Sequence, residues 1–170
     1  MPSTPDAPLS AVIHVADESG LARLAHLVAA ALPARAVIAL EGELGAGKTT
    51  FVQHVAAAFG IDPAEVVSPT FGLIHVHEGP RSRLVHADFY RLASPEELRE
   101  TGWEDAIIGT PGRGCHVFIE WPGRIARALP EARIDVAIAV DSETGRTLSF
   151  TAHGSGPEDF IRRLAAHSPT

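Results

Sequence analysis

The sequence predicts an α/β fold, and three observations predict it. The first is Ala36 to Phe59, where an apolar run (Ala36, Val37, Ile38, Ala39, Leu40) enters a glycine-rich segment. After that segment Phe51, Val52, Val55, Ala56 and Phe59 recur at helical spacing, with Gly60 placed to cap the helix. The second is Leu21, Leu24, Ala25, Val28, Ala31 and Leu32, which fall on one face of a helix spanning Glu18 to Leu32 and packing on a central sheet. The third is the alternation of Ile134, Val136, Ile138 and Val140, repeated from Thr147 to Ala152 after a turn at Asp141 to Gly145. That pattern predicts an antiparallel hairpin toward the C-terminus, at the sheet edge.

Between the buried strand and its helix lies Gly42-Glu43-Leu44-Gly45-Ala46-Gly47-Lys48-Thr49, with Thr50 after it. It fits the phosphate-binding pattern G-x-x-x-x-G-K-[ST] at every fixed position. Glycines let the backbone turn its N–H groups inward around an anion, and the positive end of the helix faces the same anion. Lys48 then reaches the β- and γ-phosphates of a nucleotide, and the Thr49 hydroxyl reaches Mg²⁺. Composition sharpens the point, since Lys48 is the only lysine among 14 basic residues. A compact point charge is kept where a planar guanidinium would not fit among phosphates. A dinucleotide-binding reading fails because Thr50 stands where G-x-G-x-x-G needs its third glycine.

A chain of 170 residues is one domain, 1–170, large enough to bury about 70% of its unfolded surface. The net charge of −7 argues against a broad grip on nucleic-acid phosphates, so any role with RNA runs through a partner. Cys115 is the only cysteine; within the apolar run CHVFIE it reads as a packing residue in a reducing compartment. The start MPSTPDAPLS has no signal-peptide pattern, and no apolar run approaches ~18 residues, which predicts a soluble cytoplasmic protein without a membrane segment.

In chain order, residues 1–8 read as a flexible Pro/Ser-rich tail and Leu9 to Val15 as a short strand, with Asp17 capping the first helix and Pro33 ending it. Ile61 to Val67 carries no clear pattern. Ser68-Pro69-Thr70-Phe71 reads as a rigid turn, or more sharply as a switch in which Thr70 senses the γ-phosphate. Gly72 to Glu78 and Arg83 to Asp88 alternate around Gly79-Pro80, predicting a hairpin. His75 and His77 share one face there, and two imidazoles without a third ligand read as strand residues rather than a metal site. Ser94-Pro95-Glu96-Glu97 starts a helix that Gly102 shortens or breaks. GTPGRG (109–114) is a loop, and a GSGPED loop (154–159) precedes a last amphipathic helix built on Phe160, Ile161, Leu164 and Ala165.

Two acids end apolar strands. Asp88 closes LVHAD, where α/β nucleotide enzymes place a carboxylate facing Mg²⁺ or the attacking water, although a strand-end Asp also caps turns. Glu120 closes CHVFIE in the layout of a Walker B carboxylate, with Glu in place of Asp.

GELGAGKTTF, SPTF, HADFYR and IEWP, in this order and in so short a chain, resemble the TsaE family, bacterial P-loop ATPases of tRNA threonylcarbamoyladenosine synthesis. The likeness covers roughly Leu9 to Ala152. It implies a P-loop-type mixed, mostly parallel sheet with helices on both faces, and a switch at Ser68 to Phe71. It also implies ATP as substrate, Mg²⁺ held by Thr49 and Glu120, and Asp88 near the γ-phosphate as a catalytic residue beside Lys48 and a further metal-facing group. The partner implied is the TsaB–TsaD heterodimer, with tRNA met only indirectly. Phe71 stands where the family often has Tyr, and the N-terminus aligns weakly.

Rival readings are a GTPase, a small-molecule kinase and a nucleotide-gated binding module with little turnover. Guanine recognition usually needs Asn-Lys-x-Asp, and this chain contains no asparagine. Such kinases usually carry an arginine-bearing lid, and the close pairs Arg81/Arg83 and Arg162/Arg163 lie in no convincing lid. A binding module would show nucleotide binding without turnover.

Overall fold

The computed structural model describes residues 7–69 and 73–167. Its elements are β1 (Ser10–Val15), α1 (Glu18–Ala31), β2 (Arg35–Glu41), α2 (Lys48–Ala58), β3 (Ile74–Glu78), β4 (Ser82–Asp88), α3 (Pro95–Glu100) and α4 (Trp103–Ile108). They continue as β5 (Gly114–Glu120), β6 (Arg133–Val140), β7 (Arg146–His153) and α5 (Ser155–His167). Short 3₁₀ turns occupy Pro63–Glu65 and Pro122–Ala128.

One seven-stranded sheet runs β1-β7-β6-β2-β5-β4-β3. The four central strands β6, β2, β5 and β4 are parallel to one another, so the C-terminal ends of β2, β4 and β5 meet on one rim. The sheet is mixed, as expected. Its parallel share is smaller than expected, because β1, β7 and β3 all join antiparallel. The C-terminal hairpin also lies one strand in from the edge: β1 pairs Ser10 to Val15 with Thr151 to Arg146 and covers β7's otherwise open N–H and C=O groups.

Alternation along each strand splits the core in two. Leu40, Leu84, Phe118, Val136 and Phe150 face α1, α2 and α5, while Val85, Ala87, Val117 and Ile119 face α3 and α4. Asp17 caps α1, its Oδ1 accepting from Gly20 N–H at 2.8 Å. The helix after Ser94 is broken as its sequence predicts, with Gly102 in the left-handed region at φ 75°. The 61–67 stretch holds a 3₁₀ turn capped by the Asp62 carboxylate. The stretch expected to be a GSGPED loop differs: α5 begins at Ser155. Pro157 falls in the first turn, where its missing N–H would have had no helical partner, and Glu158 there suits the positive helix end.

Candidate active site

The glycine-rich segment leaves β2 at Gly42 and closes on the first turn of α2. Gly42 is set by close approach, since a Cβ there would stand 2.9 Å from the Ile138 carbonyl oxygen. Gly47, immediately before the helix, has φ 106°, a conformation that side chains strongly disfavour. From the other side Arg146 of β7 donates through Nε to the Ala46 carbonyl at 2.8 Å and braces the loop. Phe51, Val52, Val55 and Ala56 are fully buried, so α2 and the two residues that open it are fixed against the sheet.

Lys48 is 5% exposed, and its ammonium donates to the carbonyls of Gly42 at 2.7 Å and Glu43 at 2.9 Å. The Trp121 ring centroid lies 4.7 Å from Nζ, a cation–π contact. Burial draws the Lys48 pKa below the usual lysine value, while the Glu120 and Asp88 carboxylates pull it back up. Trp121 takes a left-handed backbone, φ 58°, at the end of β5, the kind of locally strained conformation that sites stabilise by surrounding contacts. Its ring meets Tyr90 at 4.9 Å between centroids.

The parallel register sets Asp88 of β4 directly beside Glu120 of β5. Glu120 is buried, and its Oε1 accepts from the Thr49 hydroxyl at 2.7 Å and from His86 Nε2 at 2.8 Å. Asp88 serves two ends: Oδ1 accepts from Tyr90 N–H at 2.9 Å, a turn cap, and Oδ2 accepts from the Ser68 hydroxyl at 2.8 Å. The turn-cap reading of Asp88 and its place at the rim therefore hold together.

A cleft of about 510 Å³ is lined by Leu44, Gly45, Gly47, Lys48, Thr49, Thr50, Ser68, Asp88, Arg91, Glu120 and Trp121, among others. Of the residues predicted from sequence, Gly42 and Ala46 lie behind the loop against β6 and β7. Glu43 enters through its carbonyl. Thr70 and Phe71 lie outside the described residues; of the segment expected to be a switch, Ser68 and Pro69 line the cleft. Several residues with a place here were missed from sequence, Tyr90 and Arg91 of the cleft lining among them. Arg146 carries no local signal, Trp121 was visible only as part of IEWP, and His86 was visible only by standing two positions before Asp88 on the same strand face.

The donor set of hydroxyl and carboxylate oxygens suits Mg²⁺, a hard cation that takes one or two protein carboxylates and leaves its other positions to phosphates and water. Thr49 and Glu120, already joined through one oxygen, fit that requirement.

A strand, a glycine-rich loop closing on a helix start, and a carboxylate at the end of the neighbouring parallel strand define an α/β protein of the P-loop type. The family described as "Threonylcarbamoyl adenosine biosynthesis protein TsaE" matches residues 15–148. The chain belongs to the TsaE family, whose proteins are involved in threonylcarbamoyladenosine biosynthesis on tRNA. Curated relatives of that name include one from Rickettsia felis, 34% identical over 86% of this chain and 84% of its own length. Another, from Treponema pallidum, is 39% identical over 75% and 90%. A third, from Nostoc, is 38% identical over 88% and 90%. The crystal structure of Bacillus subtilis YdiB is similar at a TM-score of 0.72 and 28% identity, covering 94% of this chain and 97% of that one.

Proposed function

We propose that the protein binds Mg-ATP in this cleft and hydrolyses it in support of threonylcarbamoyladenosine formation on tRNA, working with the TsaB–TsaD heterodimer. The observation that carries the reading is the Thr49–Glu120 contact across the rim, beside a lysine fixed within the loop. In this reading the loop's N–H groups and Lys48 bind the phosphates, and Thr49 with Glu120 holds the magnesium ion. Bound magnesium neutralises charge on the β- and γ-phosphates. Asp88 orients the attacking water toward the γ-phosphorus, with ADP and phosphate as products. Lys48 stabilises the charge that gathers on the transferred group.

The kinase reading gains no support from the arginine pairs. Arg83 pairs with Glu78, and Arg162 with Glu158 and Asp159, none of them lining the cleft.

The test is phosphate release from ATP with Mg²⁺, measured with and without TsaB–TsaD, and with GTP as competitor. Expected is Mg²⁺-dependent release that rises with the partner and prefers ATP. Transfer of the γ-phosphate to a third molecule, binding without turnover in the partner's presence, or tenfold preference for GTP would overturn it.

A further inference from the structure

Two histidines are buried on the α2 side of the sheet, His86 in β4 and His116 in β5, and they are bonded differently. His116 has both ring nitrogens satisfied, Nδ1 by the Ser82 hydroxyl at 2.6 Å and Nε2 by donation to the Pro33 carbonyl at 2.8 Å. Its ring stacks on Phe59 with centroids 4.5 Å apart. These contacts make it a histidine of the core.

His86 is wholly buried, yet its Nδ1 has no hydrogen-bond partner among the described residues. Among the described residues its polar contact is Nε2 to Glu120 Oε1, at 2.8 Å. An ionised carboxylate oxygen only accepts, so Nε2 carries the proton and the ring is held in that tautomer. The same Oε1 receives the Thr49 hydroxyl. Glu120 needs such a hold. It is the last residue of β5, the chain leaves it through a left-handed residue, and Asp88 stands opposite with like charge.

We propose that His86 is a positioning residue for this site: its Nε2–H holds the Glu120 carboxylate toward Thr49, in place for the magnesium of the nucleotide. The assignment rests on the Mg-ATP reading above. It accounts for a wholly buried imidazole whose polar partner among the described residues is the Glu120 carboxylate. Groups that orient a metal-binding side chain typically change metal affinity 10- to 100-fold when removed.

The test compares wild type with His86→Gln and His86→Asn. A glutamine amide nitrogen extends about as far as Nε2, whereas an asparagine amide nitrogen extends only about as far as Nδ1. Affinity for a fluorescent ATP analogue is measured in Mg²⁺ and in EDTA, alongside thermal melting. Expected is equal affinity of all three proteins in EDTA. The gain in affinity on adding Mg²⁺ should fall roughly 10- to 100-fold in His86→Asn and be largely kept in His86→Gln. Nitrogen-15 NMR of nucleotide-free wild type should show His86 protonated at Nε2, a readout that holds even where a variant fails to fold. A folded His86→Asn with the wild-type Mg²⁺ gain overturns the proposal. So does an equal loss in EDTA, which marks a merely structural role, or an Nδ1-protonated ring. A wild type whose nucleotide affinity ignores Mg²⁺ overturns the magnesium reading itself, and this assignment with it.

Discussion

The Thr49 hydroxyl stands 2.7 Å from Glu120 Oε1 although 71 positions separate the two residues in the chain. One comes from the first turn of α2 and the other from the last position of β5. The contact exists because α2 is buried along that face of the sheet, so packing places a hydroxyl where a strand-end acid emerges.

Glu120→Gln keeps an acceptor oxygen for Thr49 and His86 but removes the charge that, on the Mg-ATP reading proposed above, would face a hard cation. The Mg²⁺ needed for half-maximal turnover should rise about tenfold or more, and excess metal should partly restore the rate. Asp88→Asn should bind Mg-ATP nearly normally and lose hydrolysis by roughly 10²- to 10⁴-fold, without rescue by metal. Turnover with TsaB–TsaD present checks both. Interchanged behaviour would mean that the two carboxylates have each other's roles.

Lys48→Ala removes the ammonium that bonds Gly42 and Glu43 and sits beneath Trp121. Affinity for Mg-ATP should fall at least ~10- to 100-fold, the range for lost charged hydrogen bonds, with the fold retained. Calorimetric titration with circular dichroism on the same samples checks this, and near-native affinity in a folded variant would remove the phosphate role of the loop.

Cys115 is 3% exposed, and burial pushes its thiol pKa up; Arg35 and Arg83 pull it down and Glu78 adds to the rise. The thiolate is the reactive form, so the folded protein should label negligibly with a thiol reagent at neutral pH and fully once unfolded in urea. Fast labelling of native protein would contradict this burial.

Stability should fall as pH drops through the histidine range. Burial holds the His116 pKa below its usual 6.5, although the Pro33 carbonyl raises it somewhat. His77 is lowered too, by burial first and then by His86 and His75, with Glu65 opposing. Below pH ~6.5 the unfolded chain binds protons that the folded chain refuses, so stability is whole above that pH and is lost toward each lowered pKa. Urea midpoints between pH 8 and 5 measure it, and His116→Phe should flatten the acid limb. An unchanged slope in that variant would clear His116 of the effect.

The glycine-rich loop was legible from Gly42 to Thr49 because its structure is local: its turn is made by consecutive residues, and the glycines that permit it lie within six positions of one another. The same holds for Asp17 and Ser94, whose side chains cap helices three residues away. Strands were legible by alternation, as in Ile134 to Val140, because burial on one face imposes a period of two. Alternation names a face and never a partner. That β1 covers β7, that three neighbouring pairs are antiparallel, and that Asp88 lies beside Glu120 are decided by long-range register. His86 shows the difference most plainly. Its sequence places it two residues before an acid on its own strand, and only the packing of β4 on β5 turns its ring toward the acid of the other.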